Sequence, residues 1–183
     1  KYEILIHDDA SDDGTKEIVA EYQKKFPDII KPIFQLENQF SKGVSISKIY
    51  NWPRIQGKYV AICEGDDYWT DEMKLQKQVD YLDSHEDCTI CFHPVRVICE
   101  GLPENENSIF PDEEIKKKVL FDFDGLKRVN FIQTNSVVYR WVLKGKEKLF
   151  PDGILPADWF LHLLHAREGK IFMLDDVMAV YRR

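Results

Sequence analysis

No apolar run in this 183-residue chain is long enough to cross a bilayer, and no signal-peptide pattern opens it. These residues hold no candidate membrane span, while a peripheral contact at a membrane face stays open. Basic residues are in deficit, 25 Lys and Arg against 32 Asp and Glu, for a formal net charge of −7. That balance argues against nucleic acid as a partner, so an anionic ligand needs local cations or a metal. Cysteine is scarce: Cys63, Cys88, Cys91 and Cys99 are the only four. Cys88 and Cys91 with His93 have a zinc-like spacing, but they lie in a strand pattern, where positions three apart point to opposite faces. Reduced thiols in a cytoplasmic protein are the expectation. Repeats and low-complexity tracts are also missing. What remains is a 44% apolar, 31% charged composition, that of an ordinary globular domain with a sizeable core.

Strand and helix patterns alternate along the first half. Tyr2–Ile6 predicts a short strand, followed by an acid-rich turn, His7–Thr15. A helix from Lys16 to Pro27 would carry Ile18, Val19, Tyr22 and Phe26 on one side. Ile29–Leu36 predicts a second strand interrupted by Pro32, and Val44–Trp52 a helix ended by Pro53. Lys58–Cys63 reads as the third strand. Asp71–Ser84 predicts an amphipathic helix burying Met73, Leu75, Val79 and Leu82, and Cys88–Val97 a fourth strand. The pattern weakens after Ile98: 100–118 predicts an excursion or mobile loop, with a solvated helical turn at 113–118. Asn135–Tyr139 then predicts a strand, and a helix begins at Ala157 or Asp158 and ends near Gly169. Lys170–Leu174 and Val177–Tyr181 close the chain as strands. The alternation implies an α/β fold, a mostly parallel Rossmann-like sheet with helices on both faces, as one domain over 1–183.

Ligands of such sheets lie beyond the carboxyl ends of the strands. Two acidic stretches sit there, Asp8–Asp13 and Glu64-Gly65-Asp66-Asp67, and they are expected to share one crevice. Part of each is explained by turn formation and helix capping. Capping needs one acid, however, and the second stretch has three in four positions. Mg²⁺ or Mn²⁺ prefers oxygen ligands and binds one or two carboxylates together with diphosphate oxygens. A carboxylate after the first strand could accept the ring N–H of a pyrimidine base. Asp158 could cap the helix after Pro156, and its neighbours Trp159 and Phe160 would limit water at its carboxylate. Gln133, Thr134 and Asn135 are polar contacts or strand-end residues, and Trp69 either packs on a sugar or belongs to the core. His162 and His165 are a metal face or hydrogen-bonded core histidines.

In combination these motifs resemble family 2 glycosyltransferases with the GT-A fold. Tyr2–Thr15 resembles that family's second strand and loop, Asn38 and Gly43 its next segment, and Lys58–Trp69 the strand leading to its metal-binding acid-x-acid motif. Leu155-Pro-Ala-Asp-Trp159 resembles the segment bearing the catalytic base, and Tyr181-Arg-Arg183 the closing strand. The resemblance implies a GT-A-like fold with a nucleotide-binding half, 1–97, and an acceptor-side half, 98–183. It implies Asp9 and Asp8 at the nucleotide base, Glu64 at the ribose or the metal, Asp66 on Mn²⁺ or Mg²⁺, and Asp158 as general base. Trp69, Gln133 and Thr134 become candidate acceptor contacts.

The implied reaction moves a sugar with inversion from a nucleotide-sugar, a UDP-sugar by preference, to a glycan or other hydroxyl acceptor. Cell-surface polysaccharide synthesis in the cytoplasm, or at the inner membrane face, would be its setting. Glu64 stands where aspartate is usual, and Ala157 where the family often has an acid. The family's first strand and helix would precede Lys1, and a histidine would follow the last strand, so the sequence is expected to be part of a longer chain. Two other readings stay in view: a Mg²⁺-dependent phospho-acceptor module, and a binding-only relic of the transferase fold.

Overall fold

Residues 1–101, 103 and 107–183 are described by the computed structural model. Their contacts group them into two units, Lys1–Gly57 with Leu143–Ile154, and Lys58–Val142 with Leu155–Arg183. None of the described helices is long and apolar enough to cross a membrane.

In the first unit, strand β1 (Ile4–Asp8) pairs in parallel with β2 (Ile30–Phe34), and helix α1 (Thr15–Lys25) connects them. Pro32 sits in β2 opposite Ile6. An outer strand tolerates proline because its missing N–H need not serve a second neighbour. The apolar stripe of α1 forms as expected but is not buried: Ile18, Tyr22 and Phe26 are 59%, 50% and 48% exposed. Two strands offer too little surface to cover a whole helix face. The helix expected over 44–52 is instead a wide turn, Ser47–Asn51, followed by a tight one, Trp52–Arg54. Pro53, which has no N–H to donate, falls at that junction. The Arg54 guanidinium fastens the unit by donating to the carbonyls of Lys31 (2.7 Å) and Ile6 (2.9 Å) and to Asn51 Oδ1 (2.7 Å).

The second unit holds two mixed sheets. One has five strands in the order β3 (Tyr59–Ala61), β9 (Val138–Arg140), β5 (Cys88–Phe92), β10 (Lys170–Met173), β8 (Leu120–Phe121). The other has four, in the order β4 (Tyr68–Trp69), β11 (Ala179–Arg182), β6 (Val95–Ile98), β7 (Ser108–Phe110). The β5–β10 and β6–β11 pairs are parallel, and the other pairs of this unit are antiparallel. Helices α2 (Lys74–Ser84) and α5 (Ala157–Ala166) both pack on β5. The α/β class is the one expected.

Four local expectations change. The single strand over 88–97 is two strands of different sheets, broken at His93–Pro94, where proline interrupts the ladder and His93 Nδ1 lies 2.9 Å from Pro94 O. The register slips at Thr89, so Cys88 and Cys91 join one core cluster with Leu82 and Val138 rather than facing opposite ways. All four cysteines are free thiols.

Helix α2 buries Lys74, Gln78 and Leu82, while Met73 and Leu75 stay 50% and 37% exposed. Its inward stripe therefore runs through two polar residues that a hydrophobic pattern assigns to solvent. The excursion after Ile98 contains β7 and a short helix, α3 (Glu113–Lys116), capped by Asp112 Oδ1 accepting from the N–H groups of Glu114 and Ile115. Residues 102 and 104–106 of that stretch lie outside the described residues. A further helix, α4 (Phe123–Arg128), and strand β8 had no clear periodic signal.

Candidate active site

In the first unit, Asp8 ends β1 and is 3% exposed, with neither carboxylate oxygen partnered. Asp9 is half-buried and braces the neighbouring loop. Its two oxygens accept the N–H groups of Gln39 and Phe40, each at 2.8 Å. Burial pushes the Asp9 carboxyl up, but the Phe40 and Gln39 hydrogen bonds, with His7 and Lys42 nearby, outweigh it and hold it below the usual range. Each oxygen retains a lone pair for one more donor.

In the second unit, β3 runs into a turn closed by Asp67 N–H donating to Glu64 O at 3.1 Å. Arg182 of β11 grips this turn: its N–H donates to Asp67 Oδ1 at 3.0 Å and its Nε to the Asp66 carbonyl. The backbone of the turn is thus pinned, and the Asp66 side chain is left exposed. Asp67 is 9% exposed, and its Oδ2 is buried without a partner. Burial, opposed by the Arg182 bond and reinforced by Asp66, raises its pKa.

Glu64 reaches solvent, yet surrounding protein and then the charges of Asp67, Asp66 and Asp158 push its carboxyl up to about 7. Water at its exposed edge moderates that effect. The same surroundings, burial foremost, raise the Cys63 thiol to about 11, too high for a nucleophile at neutral pH.

Asp158 stands in the first turn of α5, where the helix dipole favours a negative charge. Thr134 Oγ1 lies 3.5 Å from Asp158 Oδ2, a long contact. Thr134 belongs to a tight turn, Thr134–Ser136, held from three sides. Gln78 Nε2 of α2 donates to the carbonyls of Ser136 and Cys91, both at 2.8 Å. Trp69 Nε1 of β4 donates to Asn135 O at 2.8 Å, and Asn135 Nδ2 to Val180 O of β11 at 2.8 Å. Behind them, Lys74 is 1% exposed, donates to Gln78 Oε1 at 2.9 Å and lies 4.4 Å from the Trp69 ring centre. Desolvation lowers its pKa to about 7. The indole N–H and the ring of Trp69 are thereby engaged inside the protein. Gln133 lends its carbonyl to the N–H (2.9 Å) and hydroxyl (2.6 Å) of Ser136.

In the second unit Glu64 thus lies within reach of the charges of Asp67, Asp66 and Asp158, with Thr134 beside Asp158. Gln78 and Lys74 escaped the sequence reading because their polarity argued for solvent. Their spacing with Leu82, four and then four positions apart, was the signal that could have found them.

Among the described residues no group of three His, Cys, Asp or Glu side chains converges as a closed metal cage. A hard divalent cation at a diphosphate needs no such cage, since one or two carboxylates and the substrate's oxygens suffice. Exposed Asp66 with the crowded Glu64 is a donor set of that kind, and a cation would relieve the repulsion that raises Glu64. The residues fit Mg²⁺ or Mn²⁺.

The protein Rv1520 of Mycobacterium tuberculosis is 46% identical over 182 residues, covering 99% of this chain and 50% of its own length. The glycosyltransferase alr2836 of Nostoc sp. is 33% identical over 191 residues, 98% of this chain and 55% of its own. TuaG of Bacillus subtilis, named for a glycosyltransferase role in teichuronic acid biosynthesis, is 35% identical over 81 residues, 44% of this chain and 30% of its own. The chain spans about half the length of the first two relatives. The model of glycosyl transferase family 2 matches residues 1–183, taking in both the acid turn after β3 and the start of α5, and the chain belongs to that family.

Proposed function

We propose that the protein carrying this chain transfers a sugar from a nucleoside-diphosphate donor to an acceptor hydroxyl with inversion, assisted by Mn²⁺ or Mg²⁺. One observation carries the reading: in a family 2 chain the strand-end Glu64 feels both its neighbours Asp66 and Asp67 and the helix-borne Asp158. In this reading Asp66 holds the cation, with Glu64 at the ribose or the metal. The bound ion would supply neutralising charge to the departing diphosphate. Asp158 takes the proton from the attacking acceptor hydroxyl, a role worth about 10²–10⁴-fold in rate. Thr134 orients its carboxylate, and half-buried Trp159 and Phe160 limit its hydration. A single displacement assisted by a base opposite the leaving group inverts the anomeric carbon.

Asp9 and Asp8 are assigned to the nucleotide base, as acceptors for a ring N–H, with uridine preferred. Trp69 and Gln133 are assigned to the acceptor side, where Trp69 would present the part of its ring left exposed. The name of TuaG supports a glycan as acceptor and cell-surface polysaccharide as product. Synthesis from a cytoplasmic donor at the inner membrane face fits that role.

A thermal-shift panel of UDP, dTDP and GDP with and without Mn²⁺ tests the donor site. At least one nucleotide should stabilise the protein with Mn²⁺, and Asp66→Ala should abolish the metal-dependent part. Silence across the panel removes the donor-site assignment. Asp158→Asn should keep nucleotide binding and lose transfer; transfer at the wild-type rate would reject the base.

A further inference from the structure

We propose that His162, hydrogen-bonded to Tyr139, is a positioning residue that sets where Asp158 points, an inference that rests on Asp158 being the base. Asp158 and His162 are four positions apart in α5, and His165 follows at the next turn, so all three lie on one helix face. His162 and Tyr139 are fully buried, with Tyr139 Oη 2.6 Å from His162 Nδ1. Burial first, then the charges of Asp158 and Glu64, hold the Tyr139 phenol protonated far above its ordinary range. Burial also holds the imidazole neutral, and we assign the phenol as donor to Nδ1, which places the ring proton on Nε2. The Ile132 backbone lies near the ring, but Nε2 makes no hydrogen bond of ordinary geometry. The Tyr139 bond is thus the main polar restraint on the ring, and it joins two others on α5: Thr89 Oγ1 donates to His165 O at 2.7 Å, and Trp159 Nε1 donates to Leu126 O at 2.9 Å.

Tyr139 is itself fixed. It lies in β9 opposite Val60 of β3, the strand that leads into Glu64, and opposite Ile90 of β5. His165 packs against the phenol ring, tilted by 35° with ring centres 4.3 Å apart, and places its Nδ1 3.0 Å from Leu161 O. The Tyr139–His162 bond connects the strand beside β3 to the helix that carries Asp158, one turn from the carboxylate. A helix rotation that moves this carboxylate by about 1 Å can cost on the order of 10²-fold in rate. Neither ring faces solvent, so the pair acts through Asp158 and not on substrate.

The test compares Tyr139→Phe, His162→Leu, His162→Asn and Asp158→Asn in the full-length protein. The donor is the one of a UDP-, dTDP- and GDP-hexose panel that gives most Mn²⁺-dependent nucleotide release. Tyr139→Phe and His162→Leu should lower kcat by roughly 10–100-fold while the donor KM stays within about threefold. His162→Asn, whose amide oxygen can accept the Tyr139 hydroxyl near the place of Nδ1, should recover most of the lost kcat. A merely structural role would make kcat follow the thermal midpoint, with Asn no better than Leu; that result overturns the proposal. So does wild-type kcat in Tyr139→Phe and His162→Leu while Asp158→Asn is inactive, and in that case the base assignment stands. Wild-type kcat in Asp158→Asn, or no release from any donor, removes the base or the transferase reading, and the positioning role with it.

Discussion

Replacing Lys74 by methionine should change how stability depends on pH, and the structure gives both sign and size. The Lys74 amine is 1% exposed, with one hydrogen bond to Gln78 at 2.9 Å and the Trp69 ring 4.4 Å away. Desolvation takes its pKa from 10.5 to about 7. Below pH 7 the amine is charged in both the folded and the unfolded chain, and burying it carries its full cost. Between pH 7 and 10.5 the unfolded chain holds the proton and the native protein does not, so native stability rises with pH. At about 1.4 kcal/mol per pH unit the whole span is on the order of 5 kcal/mol.

Methionine removes that cost, but it forfeits a hydrogen bond worth roughly 1 kcal/mol and orphans Gln78 Oε1 for about 1–3 kcal/mol more. Lys74→Met should therefore be more stable than wild type near pH 7, by roughly 1–3 kcal/mol, and less stable above pH 10. The two curves should cross between those limits. Urea unfolding of both proteins from pH 6.5 to 10.5, followed by tryptophan fluorescence, measures this. Neighbouring Cys63, Cys91 and His93, at about 11, 12 and 4 in the fold, each feel the Lys74 charge, but all three stay uncharged in the native protein between pH 6.5 and about 10, so the difference there reports chiefly the amine. Parallel curves would show that the amine is not desolvated, and the reasoning would fail.

The second unit offers two further tests of stability. A β-carbon on Gly169 would stand 2.7 Å from Asp87 O and 2.7 Å from Thr89 Cγ2, so Gly169→Ala should cost roughly 2–3 kcal/mol and lower the thermal midpoint; an unchanged midpoint would mean that the close approach is not there. Burial foremost holds His93, His162 and His165 at about 4, 3 and 4, against 6.5 when unfolded. In acid the unfolded chain takes up protons that the native protein refuses, so stability should fall as pH drops from 6.5 towards 4. By pH 5 the loss is about 2 kcal/mol for each ring, and a thermal midpoint that does not move between pH 7 and 5 would contradict it.

Much of the molecule was legible in the residues themselves, because strand and helix periods and turn chemistry are local. The α/β class, α1, the start of α5 at Ala157 and the acid turn after β3 follow from spacing alone. The candidate acids Asp9, Glu64 and Asp66 draw notice in the sequence because a strand that ends in carboxylates is costly, whereas Asp158, at a helix start, is singled out only by the family resemblance. Long-range pairing decided the rest. That 88–97 is two strands in separate sheets depends on which partners each half finds, β9 and β10 for one and β7 and β11 for the other. Whether Lys74 and Gln78 face water or the core cannot be read from their polarity. The carbonyls of Cys91 and Ser136, which satisfy Gln78, come from positions 13 and 58 residues away. His162 shows the same division. Its place on the Asp158 face of α5 is written in a four-residue spacing, but its hydrogen bond to a buried phenol exists only once β9 lies beside that helix. Composition and period determine what a segment is, while burial and partners, which need the folded chain, determine what its polar side chains do.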